Sequence, residues 1–173
     1  MGQRTVTVVR LHYKLKDNKK FRYITKAYHN QWGWGRGMLN EVLAGFIRLD
    51  KFVYLGVKSC VVENEIKLKA DSGMLGGKFY DITDEYEDKA YFNGEIIDMA
   101  QVIYNHDNND GGCLLDVELN EYSQVKQAML WIYNHAGKRI TLKKWSNLYP
   151  EFCNEEWQTG FRAMFENLGG KVA

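Results

Sequence analysis

The hydrophobic pattern along this chain changes period several times. Residues 4–16, RTVTVVRLHYKLK, alternate. Thr5, Thr7, Val9, Leu11, Tyr13 and Leu15 share one face, and Arg10, His12, Lys14 and Lys16 share the other, with Val6 and Val8 at its start. Period two predicts a strand with one packed side. DNKK at 17–20 is turn chemistry, because Asp and Asn tolerate tight turns. FRYITKAY at 21–28 alternates again, so the two segments predict a β-hairpin with a basic outer face.

From Met38 the apolar positions are 38, 39, 42, 43, 46 and 47. That spacing puts one stripe on a helix. FVYLGV, SCVV and IKLKA read as further strands, residues 71–94 as irregular, 95–105 as a short helix, 106–112 as a loop and CLLDVEL at 113–119 as a strand.

The last third reads as helical. Asn120 or Ser123 can cap a helix with Val125, Ala128, Met129 and Ile132 on one side, ending at Gly137. Thr141 can cap LKKWSNLY, which Pro150 stops, and Asn154 can cap EEWQTGFRAMFENL, which Gly169 and Gly170 end. This order of helix, short strand, helix, turn and helix resembles that of winged-helix domains, over ITLKKWSNLYPEFCNEEWQTGFRAMFENLGGKV. The amino end of the last helix would carry Glu155, Glu156 and Trp157, which phosphates would repel, so the resemblance implies protein contact or dimerisation rather than DNA reading. The expectation is an α+β fold: an antiparallel hairpin-containing sheet with a packed helix over 1–119, then a mainly helical lobe over 120–173.

Composition narrows the class. The 173 residues are 45 % hydrophobic and 26 % charged with one proline, as in ordinary globular chains and unlike disordered ones. The start MGQRTVTVVR lacks the apolar core of a secretory signal, and no apolar run reaches membrane-spanning length. Cys60, Cys113 and Cys153 form no CxxC pair, so reduced thiols in a cytoplasmic protein are expected.

The net charge of +1 conceals a split. Residues 1–80 hold 15 basic and 6 acidic side chains, and residues 81–173 hold 8 and 16. Between Arg4 and Lys26 eight basic residues face Asp17 alone, and between Asp81 and Glu121 twelve acidic residues face Lys89 alone. Such asymmetry suggests surfaces for different partners, unless the halves neutralise each other in the fold.

The loop HNQWGWGRG sits between a predicted strand and a predicted helix. Backbone N–H groups and Arg36 there could hold an anion, but Gly33, Gly35 and Gly37 fit no phosphate-loop spacing. Tyr28, Trp32 and Trp34 are rigid amphipathic rings that suit an interface or stack on unpaired bases, and equally suit a core. Arg10, Lys14, Lys16, Lys19, Lys20, Arg22 and Lys26 can track phosphates from the hairpin or simply solvate it. Asp84, Glu85, Glu87 and Asp88 could imitate a phosphate backbone. The loop HDNNDGG matches no calcium-loop frame, and no hydrolase, metalloprotease or P-loop signature occurs. His12, His29, His106 and His135 stand alone in sequence. No catalytic residue, metal or cofactor is therefore assigned.

Three functions are compatible. The first is a non-enzymatic protein that engages or inhibits a nucleic-acid-handling enzyme. Its Lys-, Asn- and Tyr-rich composition is similar to that of phage and mobile-element proteins, and its profile fits small inhibitors of host-defence nucleases of the anti-CRISPR type. The second is a direct DNA- or RNA-binding protein using the basic hairpin. The third is a small enzyme with residues scattered along the sequence. A protein or nucleic-acid partner is expected, a homodimer is compatible, and a membrane is not expected.

Overall fold

The structure, a computed structural model, describes residues 4–14, 19–31, 36–51, 79–106, 109–120, 124–151 and 153–173. Strands β1 (Arg4–Tyr13) and β2 (Arg22–Asn30) form the expected antiparallel hairpin, with Thr5 opposite Asn30 and Tyr13 opposite Arg22. Helix α1 (Arg36–Lys51) follows, then the short strand β3 (Phe79–Asp81) on the outer edge of β2. A 3-10 turn (Thr83–Glu85), the hairpin β4 (Phe92–Asn93) and β5 (Ile96–Ile97), and helix α2 (Met99–Tyr104) come next. Strand β6 (Asn109–Leu119) runs parallel to β1, and β7 (Val125–Tyr133) runs antiparallel to β6. Strand β8 (Arg139–Ile140), α3 (Leu142–Asn147), α4 (Glu155–Asn167) and β9 (Gly170–Val172) complete the order. The large sheet reads β3-β2-β1-β6-β7-β8, and β9 also pairs with β7. The strands predicted at FVYLGV, SCVV and IKLKA lie outside the described residues.

Against expectation, residues 120–173 do not form a mainly helical lobe. Val125–Tyr133 is a strand, and β7, β8 and β9 extend the same sheet as β1 and β2, leaving no winged-helix lobe. The apolar spacing at 125, 128, 129 and 132 fits a helix only because AMLWIY is a nearly continuous apolar run. In a strand that carries apolar side chains on both faces such a run has no period. Ala128, Leu130 and Ile132 enter one core while Trp131 and Tyr133 pack on the other. The exposed ladder of β6 then decides against helix propensity, because its N–H and C=O groups need a partner.

Two of the three caps read from the sequence stand, and the one at Asn120 or Ser123 falls with its helix. Thr141 Oγ1 accepts from the Lys144 amide at 3.2 Å, and Asn154 Oδ1 from the Trp157 amide at 2.9 Å. Gly169, with φ +82°, ends α4 in the left-handed conformation that glycine adopts without cost.

The sheet has a core on each face, where the sequence pattern suggested one. The first face presents Val9, Leu11, Tyr13, Tyr28, Leu115, Val117, Leu130 and Ile132 to α1, α3 and α4. Met38, Leu39, Val42 and Phe46 of α1, Trp145 of α3 and Phe161 and Phe165 of α4 fill that layer. The second face is apolar only at one end. Val6, Val8, Ala27 and Leu114 are covered there by Met99, Val102 and Ile103 of α2 and by Tyr86 and Phe92.

Candidate functional site: the open half of the second face

Two residues further along the same strands, the second face turns polar. Register places Arg10 beside Asp116, His12 beside Glu118, and Glu118 beside Gln127. Strands β1 and β6 therefore contribute i, i+2 pairs to one face, as the pleat requires.

These groups form one hydrogen-bonded array. Arg10 Nε donates to Asp116 Oδ1 at 3.0 Å and Nη2 to Oδ2 at 2.6 Å, a two-pronged pair. Arg10 Nη1 also reaches the carbonyls of Gly94 and Glu95 at 3.4 and 3.3 Å, tying the β4–β5 turn to the sheet. Gly94 is needed there, because a Cβ would clash with the Cβ of Tyr23. His12 Nδ1 lies 2.9 Å from Asp116 Oδ1. An ionised carboxylate only accepts, so Nδ1 carries the proton. His12 Nε2 faces Glu118 Oε2 at 3.9 Å. Glu118 accepts from Lys126 Nζ at 2.9 Å and from Gln127 Nε2 at 2.5 Å.

Charge states follow from this arrangement. Burial pushes the Asp116 carboxyl up, but hydrogen bonds from His12 and Arg10 and the guanidinium charge outweigh it, holding it at about 2. Burial alone would lower Arg10, yet Asp116 raises it above its ordinary value. Glu118 is lowered on balance, because Lys126 and Gln127 overcome its desolvation.

Beside the array lies a cavity of about 210 Å³, bounded chiefly by His12, Asp116, Gln127, Met129 and Lys171. Across His12 stands an aromatic group. Phe21 meets its ring edge-on at 5.1 Å, Tyr23 lies 6.1 Å away, and Lys14 Nζ sits 4.3 Å over Phe21.

The residues singled out from the sequence separate into four fates. Trp32, Trp34 and Lys16 lie outside the described residues, and Arg36 opens α1 with its side chain outside them. Tyr28 is in the first core at 1 % exposure, edge-on to Phe79, so it is a packing residue and presents no surface. Arg10 is taken up by Asp116, and Lys26 approaches Asp81 at 3.7 Å. Lys14, Lys19, Lys20 and Arg22 are exposed at the hairpin end, and Asp84, Glu85, Glu87 and Asp88 are exposed on the 3-10 turn and the residues after it.

The two charged groups lie apart. The acidic segment is pinned where Ile82 N donates to Ala27 O at 2.9 Å and Ala27 N donates to Thr83 Oγ1 at 3.1 Å. Five residues of β2 separate Ala27 from Arg22, roughly 17 Å of extended chain. The acids flank the covered half of the second face, and the bases flank its open half.

Sequence reasoning missed Asp116, Glu118, Gln127 and Lys171, and took His12 as solitary. The signal was present in LLDVEL: two acids at i, i+2 within an otherwise apolar strand. Missing was the β1–β6 pairing, which joins residues more than a hundred positions apart.

Among the described residues, no group of three His, Cys, Asp or Glu could hold a metal ion. Cys113 and Cys153 are buried and unbridged, and burial pushes the Cys113 thiol up to about 12. No helix of the described residues is long and apolar enough to cross a membrane. Compared with known proteins, the chain matches no family model, no curated protein and no solved structure.

Proposed function

We propose that this chain is a non-enzymatic binding protein that engages a nucleic-acid-handling enzyme through two separate charged surfaces. One observation carries the reading: exposed bases and exposed acids sit at opposite ends of β2, the acidic segment pinned to it at Ala27. The acidic segment imitates a phosphate backbone and enters the enzyme's basic groove. The hairpin end meets the nucleic acid that such an enzyme holds. Inhibition of a nuclease of the host-defence kind is the outcome that this pairing favours.

The test is a panel of purified nucleases, RNA-guided ones included, assayed with an excess of the protein. At least one should lose activity. The combined variant Asp84→Lys, Glu85→Lys, Glu87→Lys and Asp88→Lys should restore it. A panel wholly unaffected by the native protein, or inhibition that survives this reversal, contradicts the reading.

Direct binding to DNA or RNA is the second reading, and the exposure of Lys14, Lys19, Lys20 and Arg22 favours it. With about three phosphates contacted on a single strand, log affinity should fall with log salt at a slope of about −2. Affinity independent of salt contradicts it.

A further inference from the structure

The 210 Å³ cavity and the hairpin end lie on one continuous strip of the second face. The strip crosses five strands, from Phe21 and Tyr23 at β2, over His12 and Asp116, to Met129 on β7 and Lys171 on β9. At about 4.8 Å per strand it spans about 19 Å. Among the described elements, the β4–β5 turn meets it at Tyr23. The cavity has the room of about seven waters, enough for one heterocycle and too little for a base pair.

Its lining is mixed in a specific way. The Met129 side chain gives an apolar, polarisable wall, and the His12 ring gives a second. Asp116 and Gln127 add acceptors, Gln127 adds a second amide N–H, and the exposed Lys171 stands at the rim as a cation. Unpaired bases are gripped by such flat apolar walls beside edge-reading polar groups. The exits are cationic on both sides, with Lys171 at one end and Lys14, Lys19, Lys20 and Arg22 at the other. Asp116, the carboxylate in the cavity lining, is paired with Arg10, so the exposed cations at the exits set the charge and favour a polyanion with planar side groups.

We infer that this strip is a binding track for single-stranded nucleic acid. One unpaired base seats in the cavity against Met129 and His12, and the backbone runs over Phe21 toward the hairpin lysines. The inference rests on the reading that the hairpin end meets nucleic acid, and it adds the site, the strand state and the residues that recognise a base. Base stacking supplies affinity at the cavity and counterion release supplies it at the hairpin. Double-stranded nucleic acid has no free base to offer and binds more weakly.

The experiment is fluorescence anisotropy at about 50 mM salt, with a labelled single-stranded oligothymidylate and an abasic backbone of equal length. The protein is used native, as Gln127→Ala plus Lys171→Ala, and as Lys19→Glu plus Lys20→Glu. All four substituted residues are exposed, and unchanged melting shows that each variant folds. The cavity variant should weaken the base-bearing strand about tenfold and the abasic strand by less than about threefold. In parallel, thymidine monophosphate should shift the Met129 methyl resonance, assigned by its loss in Met129→Leu.

If the hairpin variant loses binding while the cavity variant binds both strands like the native protein, the cavity proposal is overturned and the hairpin reading survives. If the native protein binds neither strand, both fall. Equal loss of both strands in the cavity variant overturns base recognition. Polyglutamate competing as well as the base-bearing strand, with the same dependence on the cavity residues, would make the occupant an acidic protein segment and also overturn the proposal.

Discussion

Within two residues the second face of the sheet changes from sealed to open. At Val8, Ala27 and Leu114 it is apolar and lies beneath α2 and the β4–β5 hairpin. At Arg10, Asp116 and His12 it is polar and faces a cavity. The strands, their register and their pleat are common to both halves, so backbone geometry does not make the difference. Side-chain choice makes it, and the covering elements follow. Apolar burial holds the sealed half, at roughly 25 cal/mol per Å² of surface removed from water. The open half keeps its half-buried charges by pairing Arg10 with Asp116 and Glu118 with Lys126, because an unpaired half-buried charge would cost several kcal/mol. The boundary is a single residue: Arg10 grips Asp116 on the sheet and holds the β4–β5 turn by its carbonyls.

The largest difference between the halves should appear on removing bulk from the sealed one. Phe92, 5 % exposed in that core, should cost about 3–4 kcal/mol as Phe92→Ala, read from urea unfolding. Asp116→Asn comes next. It leaves the Arg10 guanidinium half-buried without its counter-charge and should cost about 2 kcal/mol. A loss below about 0.5 kcal/mol would mean that the array contributes nothing measurable.

The same carboxylate sets a pH dependence. Its folded value of about 2 lies below the usual 3.8, so ionisation favours the folded state. That contribution, about 2 kcal/mol, is complete above about pH 4 and disappears as pH falls through about 2. Unfolding free energies measured across this window should fall by that amount in the native protein and by clearly less in Asp116→Asn. Equal slopes would contradict the assignment. The smallest effect belongs to the hairpin end: Lys19→Glu with Lys20→Glu should move stability by less than about 0.5 kcal/mol, since both side chains are exposed. A larger loss would make these lysines structural.

The amphipathic and capped parts of this fold were legible in the sequence. Alternation in RTVTVVRLHY and RYITKAY announced the hairpin, and the stripe from Met38 announced α1, whereas Asp17 and Asn18 of the expected turn lie outside the described residues. AMLWIY misled, since apolar side chains on both faces erase the period on which the reading depends. Val6 and Val8 looked like an irregular start to a solvated face, yet they are the core under α2. The candidate site was half visible. Exposed charge at Lys14, Lys19, Lys20 and Arg22, and at Asp84, Glu85, Glu87 and Asp88, followed from local pattern alone. The array of Arg10, His12, Asp116 and Glu118 needed a long-range parallel pairing that no local pattern encodes. Tyr28 shows the reverse error: an aromatic ring near a glycine-rich loop suggests a surface, but its place opposite Thr7 turns it into the first core.

The claim that bases and acids on this molecule are independent surfaces is tested most directly by single-strand affinity in two charge reversals. Lys19→Glu with Lys20→Glu should abolish binding of the oligonucleotide, while reversing Asp84, Glu85, Glu87 and Asp88 should leave it unchanged or tighter. Equal weakening in both variants would show that the two charged groups act as one, and would contradict the account.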